Sequence, residues 1–223
     1  MPVFSFNGGE GVGKTTVISK IEKVLTKRGF EVKVFQAFGT TIGGHVRKMI
    51  KEDSFKSKLQ KATLKFAALV DTWSEIKEVL KANPKTIVLL DRDFLSFAAY
   101  DMFIDQNLAA VDLVEEMQQY LTDERMIPDC SFTLVCPDDI VESRLQERKQ
   151  RLADELHSSE IHVPETDVND DNFRNINPYV LQGIMFKQEF LTRRHHVLDT
   201  SVELDEVVSD IISLMGVKDE AVH

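Results

Sequence analysis

Apolar and polar positions along this chain fall into two alternating rhythms. Val3, Phe4 and Phe6 make a short apolar run, and Val17, Ile18, Ile21, Val24 and Leu25 then recur at helical spacing. The first pattern predicts a buried strand over 3–6 and the second a helix over 15–27. Gly29 stands where such a helix stops, and polar-apolar alternation over 31–35 predicts a second strand. Residues 36–44 hold three glycines and read as a loop into a helix that includes 45–50. Phe66, Leu69, Val70, Trp73, Ile76, Val79 and Leu80 lay an apolar stripe along a long helix over 64–80. The apolar run that follows, between Asn83-Pro84 and Asp91-Arg92, has the unbroken character of a strand covered on both faces.

The alternation continues to the end of the chain. A helix from near Ser96, a helix over 111–121, a strand over 130–136 and a helix over 138–156 come next, then a helix over 178–191, a strand over 196–199 and a helix over 204–215. Strands separated by helices predict an α/β fold, a central parallel sheet of five strands flanked by helices. At 223 residues and 43% hydrophobic content the chain can bury one substantial core, so one domain over 1–223 is expected. It shows no long apolar run and no cleavable leader, which points to a soluble cytoplasmic protein without a membrane partner. Cys130 and Cys136 have no further cysteine at metal-ligand spacing and read as reduced thiols.

Charge changes the picture in one respect. The first hundred residues carry 17 Lys+Arg against 10 Asp+Glu, whereas the remainder is strongly acidic and the whole chain has a net charge of -10. Such a balance makes nucleic acid an unlikely partner, because backbone binding depends on neutralising phosphates. It leaves room for one small basic pocket. The lysine-rich stretch 48–65 reads as a solvated helical face or as an attractor of phosphates.

Candidate chemistry begins between the first strand and helix. Gly8-Gly9-Glu10-Gly11-Val12-Gly13-Lys14-Thr15 fits the phosphate-binding pattern Gly-x4-Gly-Lys-[Ser/Thr], with Thr16 following. Glycines let the backbone curl so that its N–H groups converge, and the helix N-terminus adds partial positive charge at the same point. Lys14 can reach β- and γ-phosphates and the Thr15 hydroxyl can hold Mg²⁺, so ATP with Mg²⁺ is the expected cofactor pair. Asp91 and Arg92 close the central strand, at the sheet edge where ligands of open α/β folds bind. Asp91 can hold the metal ion and Arg92 can grip a phosphate through two parallel hydrogen bonds. Arg144, Arg148 and Arg151 share one helical face, as a solvated surface or a phosphate clamp. Residues 154–171 are polar and acidic and read as a mobile insertion over the site. Asp167, Asn169 and Asp171 imitate the start of a calcium loop, but Asn172 and Pro178 stand where its glycine and glutamate belong.

Taken together these stretches resemble the thymidylate kinases within the P-loop nucleoside-monophosphate kinases, from Val3 to about Ile212. Besides the phosphate loop, Gly39-Thr-Thr-Ile-Gly43 through Arg47, Phe66-Ala-Ala, Asp91-Arg92 with Ser96 and Ala99-Tyr100, Pro128-Asp129 and Asp199-Thr-Ser201 carry the likeness. The resemblance implies a P-loop nucleotide kinase fold with a lid insertion over about 148–172, nucleotide substrates and a homodimer. It implies a deoxynucleoside-monophosphate kinase, with dTMP or a modified deoxypyrimidine monophosphate as acceptor. Glu10 would meet the sugar 3'-hydroxyl, Arg92 and Arg47 the acceptor phosphate, Phe66 the base, and Tyr100 the sugar 2' position. Arg148 or Arg151 would come from the lid to neutralise charge in transfer.

The chain also departs from the family pattern. Phe35-Gln36-Ala37 replaces Arg-Glu-Pro, Val70 stands where an arginine donates to the thymine carbonyl, and Asp101 where glutamine is usual. Asp101 could instead accept from an exocyclic amine of a purine or cytosine. Two other readings stay open: a kinase acting on a hydroxyl of a deoxynucleoside or of a hydroxymethylated base in DNA, which needs a carboxylate base, and a nucleotide-binding scaffold without catalysis.

Overall fold

The computed structural model describes residues 2–103, 106, 108–158 and 192–217. Its strands are β1 (Val3–Asn7), β2 (Val32–Gln36), β3 (Ile87–Asp91), β4 (Cys130–Val135) and β5 (His195–Asp199). They form one parallel sheet in the order β2-β3-β1-β4-β5, the α/β architecture that the alternation predicts. The helices are α1 (Lys14–Lys27), α2 (Thr41–Lys51), α3 (Lys58–Ala82), α4 (Phe94–Phe103), α5 (Leu108–Glu116), α6 (Gln118–Asp123), α7 (Asp138–Ser158) and α8 (Leu204–Met215).

Period-two alternation in the strands divides the core between the two sheet faces. In β3, Val88 and Leu90 join Phe66, Leu69, Trp73 and Phe94 on one side, while Ile87 and Leu89 join Phe6, Ile21, Phe132 and Ile211 on the other. Both faces of β3 are therefore covered, which is why its sequence is apolar without interruption. The order of strands reverses about β1, so a crevice opens at its carboxyl end. Register brings that end together: Phe6 pairs with Asp91 on one side and with Phe132 on the other.

Two elements differ from the sequence expectation. The glycine-rich segment is helical already from Thr41, with the Thr40 hydroxyl accepting from the Gly43 N–H at 3.0 Å as an N-cap. Gly43 is needed there for closeness, because a Cβ would stand 2.4 Å from Phe38 Cα. The helix expected over 111–121 is instead α5 and α6, broken at Met117. The expected helix over 178–191 lies outside the described residues, as does the acidic insertion beyond Ser158. Of the lysine-rich stretch, Lys48, Lys51, Lys56 and Lys58 are exposed, as a solvated face requires, but Lys65 is buried. Among the described residues no helix is long and apolar enough to cross a membrane.

Candidate active site

The loop after β1 turns on its glycines. Gly8 has φ 136° and lies so close to β4 that a Cβ would meet the Leu134 carbonyl oxygen at 2.5 Å. Gly13, at φ 89°, opens α1 in a left-handed conformation that costs glycine little. Val12 is fully buried, and its carbonyl lies 2.7 Å from the Thr200 hydroxyl, which is also 3.0 Å from the Val135 carbonyl. The loop is thus pinned to the segment after β5. Arg144 reinforces the same junction, donating to the Thr200 carbonyl at 2.9 Å and lying 3.5 Å from the Gly11 carbonyl.

Lys14 folds back over the loop and donates to the carbonyls of Gly8, at 3.2 Å, and Gly9. Burial pushes its ammonium pKa down to about 8, Arg92 and Arg148 push the same way, and Glu10 and Asp91 oppose. Arg92 arrives from the end of β3. Its φ of 70° is strained for a side chain of this size. In that conformation its N–H bonds the Phe6 carbonyl at 3.0 Å, and its guanidinium donates to the Gly8 carbonyl at 2.8 Å and to Glu10 at 2.6 Å. The guanidinium carbon stands 4.8 Å from the Tyr100 ring centroid, a cation-π contact. Two cations, one opening α1 and one just after β3, therefore meet on one carbonyl oxygen, an arrangement that favours a bound anion.

The carboxylates answer this field differently. Burial raises the Glu10 pKa, but the charges of Arg92, Lys14 and Arg148 outweigh it and hold the group below its ordinary value. Arg148 contributes from 3.5 Å. Asp91 is shifted upward, because burial there exceeds the help of Lys14 and Arg92. Its Oδ1 is buried without a hydrogen-bond partner among the described residues. A hard cation would satisfy that oxygen, and the exposed hydroxyl of Thr15 at the start of α1 supplies a second hard ligand. Both are hard oxygen donors of the kind that Mg²⁺ takes, Asp91 lining one cleft and Thr15 the other. Beneath them Asp93 is almost wholly buried, accepts from the Leu95 N–H at 2.8 Å, and lies 3.3 Å from the Ser131 hydroxyl.

Two clefts adjoin at this centre. One, of about 590 Å³, lies over the glycine loop and is lined by Lys14, Thr15, Thr16, Arg144, Arg148 and Arg151. The other, of about 470 Å³, opens beside α3 and α4 and is lined by Arg47, Asp91, Arg92, Ser96, Tyr100 and Asp101 among others. Glu10 and Arg148 line both. Arg148 and Arg151, expected on a lid, stand on α7. Arg47 donates to the Ala37 carbonyl at 3.1 Å.

Two expected contacts are displaced. Phe66 is buried against Phe94 and Phe97, at centroid distances of 5.3 and 6.4 Å, and Val70 packs against the same core. The apolar lining of the second cleft comes from Ala37, Phe38, Leu69 and Phe97 instead. Asp101, which lines the cleft, is fully buried and accepts from the Lys65 ammonium at 2.8 Å through Oδ2. Lys65 was legible only as a lysine on the inward stripe of Ala62, Leu69, Trp73 and Ile76. Asp93 gave no signal beyond its place after Asp91-Arg92.

The description Thymidylate kinase belongs to the family model that matches residues 6–176. The chain is 26% identical to the thymidylate kinase of Geobacillus sp. (strain WCH70) over 94% of its own length and 93% of the relative's. It is 25% identical to that of Acholeplasma laidlawii, over 93% and 95%. With the thymidylate kinase of Campylobacter hominis the identity is 34%, over 49% of this chain and about half, 54%, of the relative.

Proposed function

The chain belongs to the thymidylate kinase family, a family of ATP-dependent nucleotide kinases, and from that premise we propose that it phosphorylates a deoxynucleoside monophosphate. ATP is the donor, and dTMP or a modified deoxypyrimidine monophosphate is the acceptor. The observation that carries this reading is the convergence of Lys14 and Arg92 on the Gly8 carbonyl, where the two clefts adjoin. Donor phosphates over the glycine loop and an acceptor phosphate at Arg92 would share one boundary.

In that arrangement Lys14 and the loop N–H groups bind the β- and γ-phosphates, and Thr15 and Asp91 hold Mg²⁺. The ion supplies charge neutralisation at the transferred group. Arg92 and Arg47 orient the acceptor phosphate. One of its oxygens forms the new bond to the γ-phosphorus as the bond to the departing ADP oxygen breaks in line. Arg148 and Arg151 on α7 face the charge that spreads over the transferring phosphoryl group. Glu10 holds Arg92 and Arg148 in place and lies within reach of the acceptor sugar, and Tyr100 flanks the sugar.

The electrostatics favour an ionised acceptor over a hydroxyl. A hydroxyl needs a carboxylate base; of the three candidates Glu10 is held below its ordinary pKa, Asp101 is bonded to Lys65, and Asp91, shifted upward by burial, is the one assigned to the metal ion. A phosphate oxyanion needs only positioning and charge stabilisation. Acceptor-dependent ADP release across deoxynucleoside monophosphates and deoxynucleosides tests the proposal. Turnover with a monophosphate is the expected result, and no turnover with any of them would overturn it.

A further inference from the structure

Five buried polar side chains lie together beneath the point where Arg92 meets the glycine loop. Ser5 and Asn7 of β1 and Ser131 of β4 are 0% exposed, Asp93 is 1% exposed and Ser96 of α4 3%. Four of them close a ring of hydrogen bonds. Asn7 Nδ2 donates to the Ser5 hydroxyl at 3.4 Å, Ser5 lies 2.7 Å from the Ser131 hydroxyl, and Ser131 lies 3.3 Å from the Asp93 carboxylate. The backbone N–H of Asp93 then returns to Asn7 Oδ1 at 3.4 Å. A backbone N–H can only donate, so the Asn7 oxygen faces α4 and its amide nitrogen faces Ser5. The same oxygen accepts from the Ser96 hydroxyl at 2.7 Å.

The ring joins the two halves of the site through the backbone. Asn7 directly precedes Gly8, whose carbonyl receives Lys14 and Arg92, and Asp93 directly follows Arg92. Two consecutive N–H groups reach back to the end of β1 around the φ of 70° at Arg92, its own to the Phe6 carbonyl at 3.0 Å and that of Asp93 to Asn7. The Asp93 carboxylate also caps the start of α4, accepting from the Leu95 N–H at 2.8 Å. A strained backbone persists only where its surroundings over-determine it, and the ring supplies those contacts here. Packing alone gives no reason for the polar groups, since apolar side chains at the same positions would be buried without a desolvation penalty. A satisfied polar network instead fixes one geometry. Ser5, Asn7 and Ser131 line neither cleft, so whatever they do for the reaction passes through Arg92 and the loop.

We infer that Asn7 is a positioning residue for phosphoryl transfer: bonded to Ser96 and Asp93, it sets Arg92 at a fixed distance from the glycine loop and so aligns the acceptor phosphate with the γ-phosphate. The inference rests on the reading that Arg92 binds the acceptor phosphate.

The experiment compares two variants with the unmodified protein. Asn7→Leu keeps the volume and removes both amide contacts. The exchange Asn7→Asp with Asp93→Asn keeps an oxygen acceptor for Ser96 and for the N–H of residue 93, and moves the charge across the ring. For each, kcat and KM with dTMP, calorimetric affinities for MgATP and dTMP, and urea unfolding are measured. Asn7→Leu should lower kcat about a hundredfold, the effect of a displacement of about 1 Å at the reacting atoms. It should weaken dTMP binding and leave MgATP binding unchanged, and the exchange should restore most of kcat. A purely structural ring would lower the urea midpoint and leave kcat per folded molecule unaltered. That result overturns the inference, as does a folded exchange variant no more active than Asn7→Leu. Where Asn7→Leu does not fold, Ser131→Ala opens the ring on β4 and should lower kcat about tenfold, the range of one buried hydrogen bond; unchanged kcat there overturns the inference as well. If the unmodified protein turns over no monophosphate, the kinase reading fails by itself. The role of Asn7 is then decided by calorimetry, and stands only if Asn7→Leu weakens dTMP binding and not MgATP binding.

Discussion

Lys14 links donor binding to pH in a way that can be measured. Its ammonium is buried beside Arg92, and its pKa is pushed from 10.5 to about 8. The unfolded chain therefore binds more protons than the folded one between these values. Stability of the ligand-free protein should rise with pH across that window and be lower below it. The shift corresponds to roughly 3 kcal/mol at most, so Lys14→Met should stabilise the ligand-free protein near neutral pH while weakening ATP binding. A bound polyphosphate reverses the balance by pairing the ammonium. With a pKa of about 8, about 90% of Lys14 is charged at about pH 7 and about 10% at about pH 9, so ATP affinity should fall about tenfold across that interval. At about pH 8 binding should take up about half a proton. Isothermal calorimetry of MgATP in buffers of different ionisation enthalpy reads both quantities, and Lys14→Met should show neither. Affinity and proton uptake that stay constant between about pH 7 and about pH 9 would refute the argument.

Three further outcomes follow from contacts in the site. Arg92→Lys keeps the charge but cannot bond Gly8 and Glu10 together, so kcat at saturating acceptor should fall about a hundredfold while calorimetric ATP affinity changes little. Gly8→Ala would place a Cβ 2.5 Å from the Leu134 carbonyl at φ 136°; it should cost about 2 kcal/mol or more in urea unfolding and raise KM for ATP. Thr200→Val removes the hydroxyl between the Val12 and Val135 carbonyls. It should cost about 1 kcal/mol and raise KM for ATP without changing KM for the acceptor.

The α/β alternation, the five parallel strands and the glycine loop could all be read from residue order. Periodicity reports which face of an element meets the core, and the loop's function depends on consecutive backbone groups, so both are local properties. Asp91 and Arg92 were legible for a related reason, since the end of a buried strand lies at the ligand-binding edge whatever surrounds it. Gly43 misled because a glycine in a helix looks like a loop signal until Phe38 is seen against it. The partners of charged side chains were of another kind. That Arg92 and Lys14 share the Gly8 carbonyl depends on the pairing of β3 with β1. The Lys65–Asp101 pair joins residues 36 positions apart on two helices, and Phe66 gave its place in the cleft wall to Leu69 and Phe97 through the way those helices pack. Hydrophobic spacing places an element's faces, but which charge neutralises which is settled only when distant elements pack, because attraction and desolvation act through space.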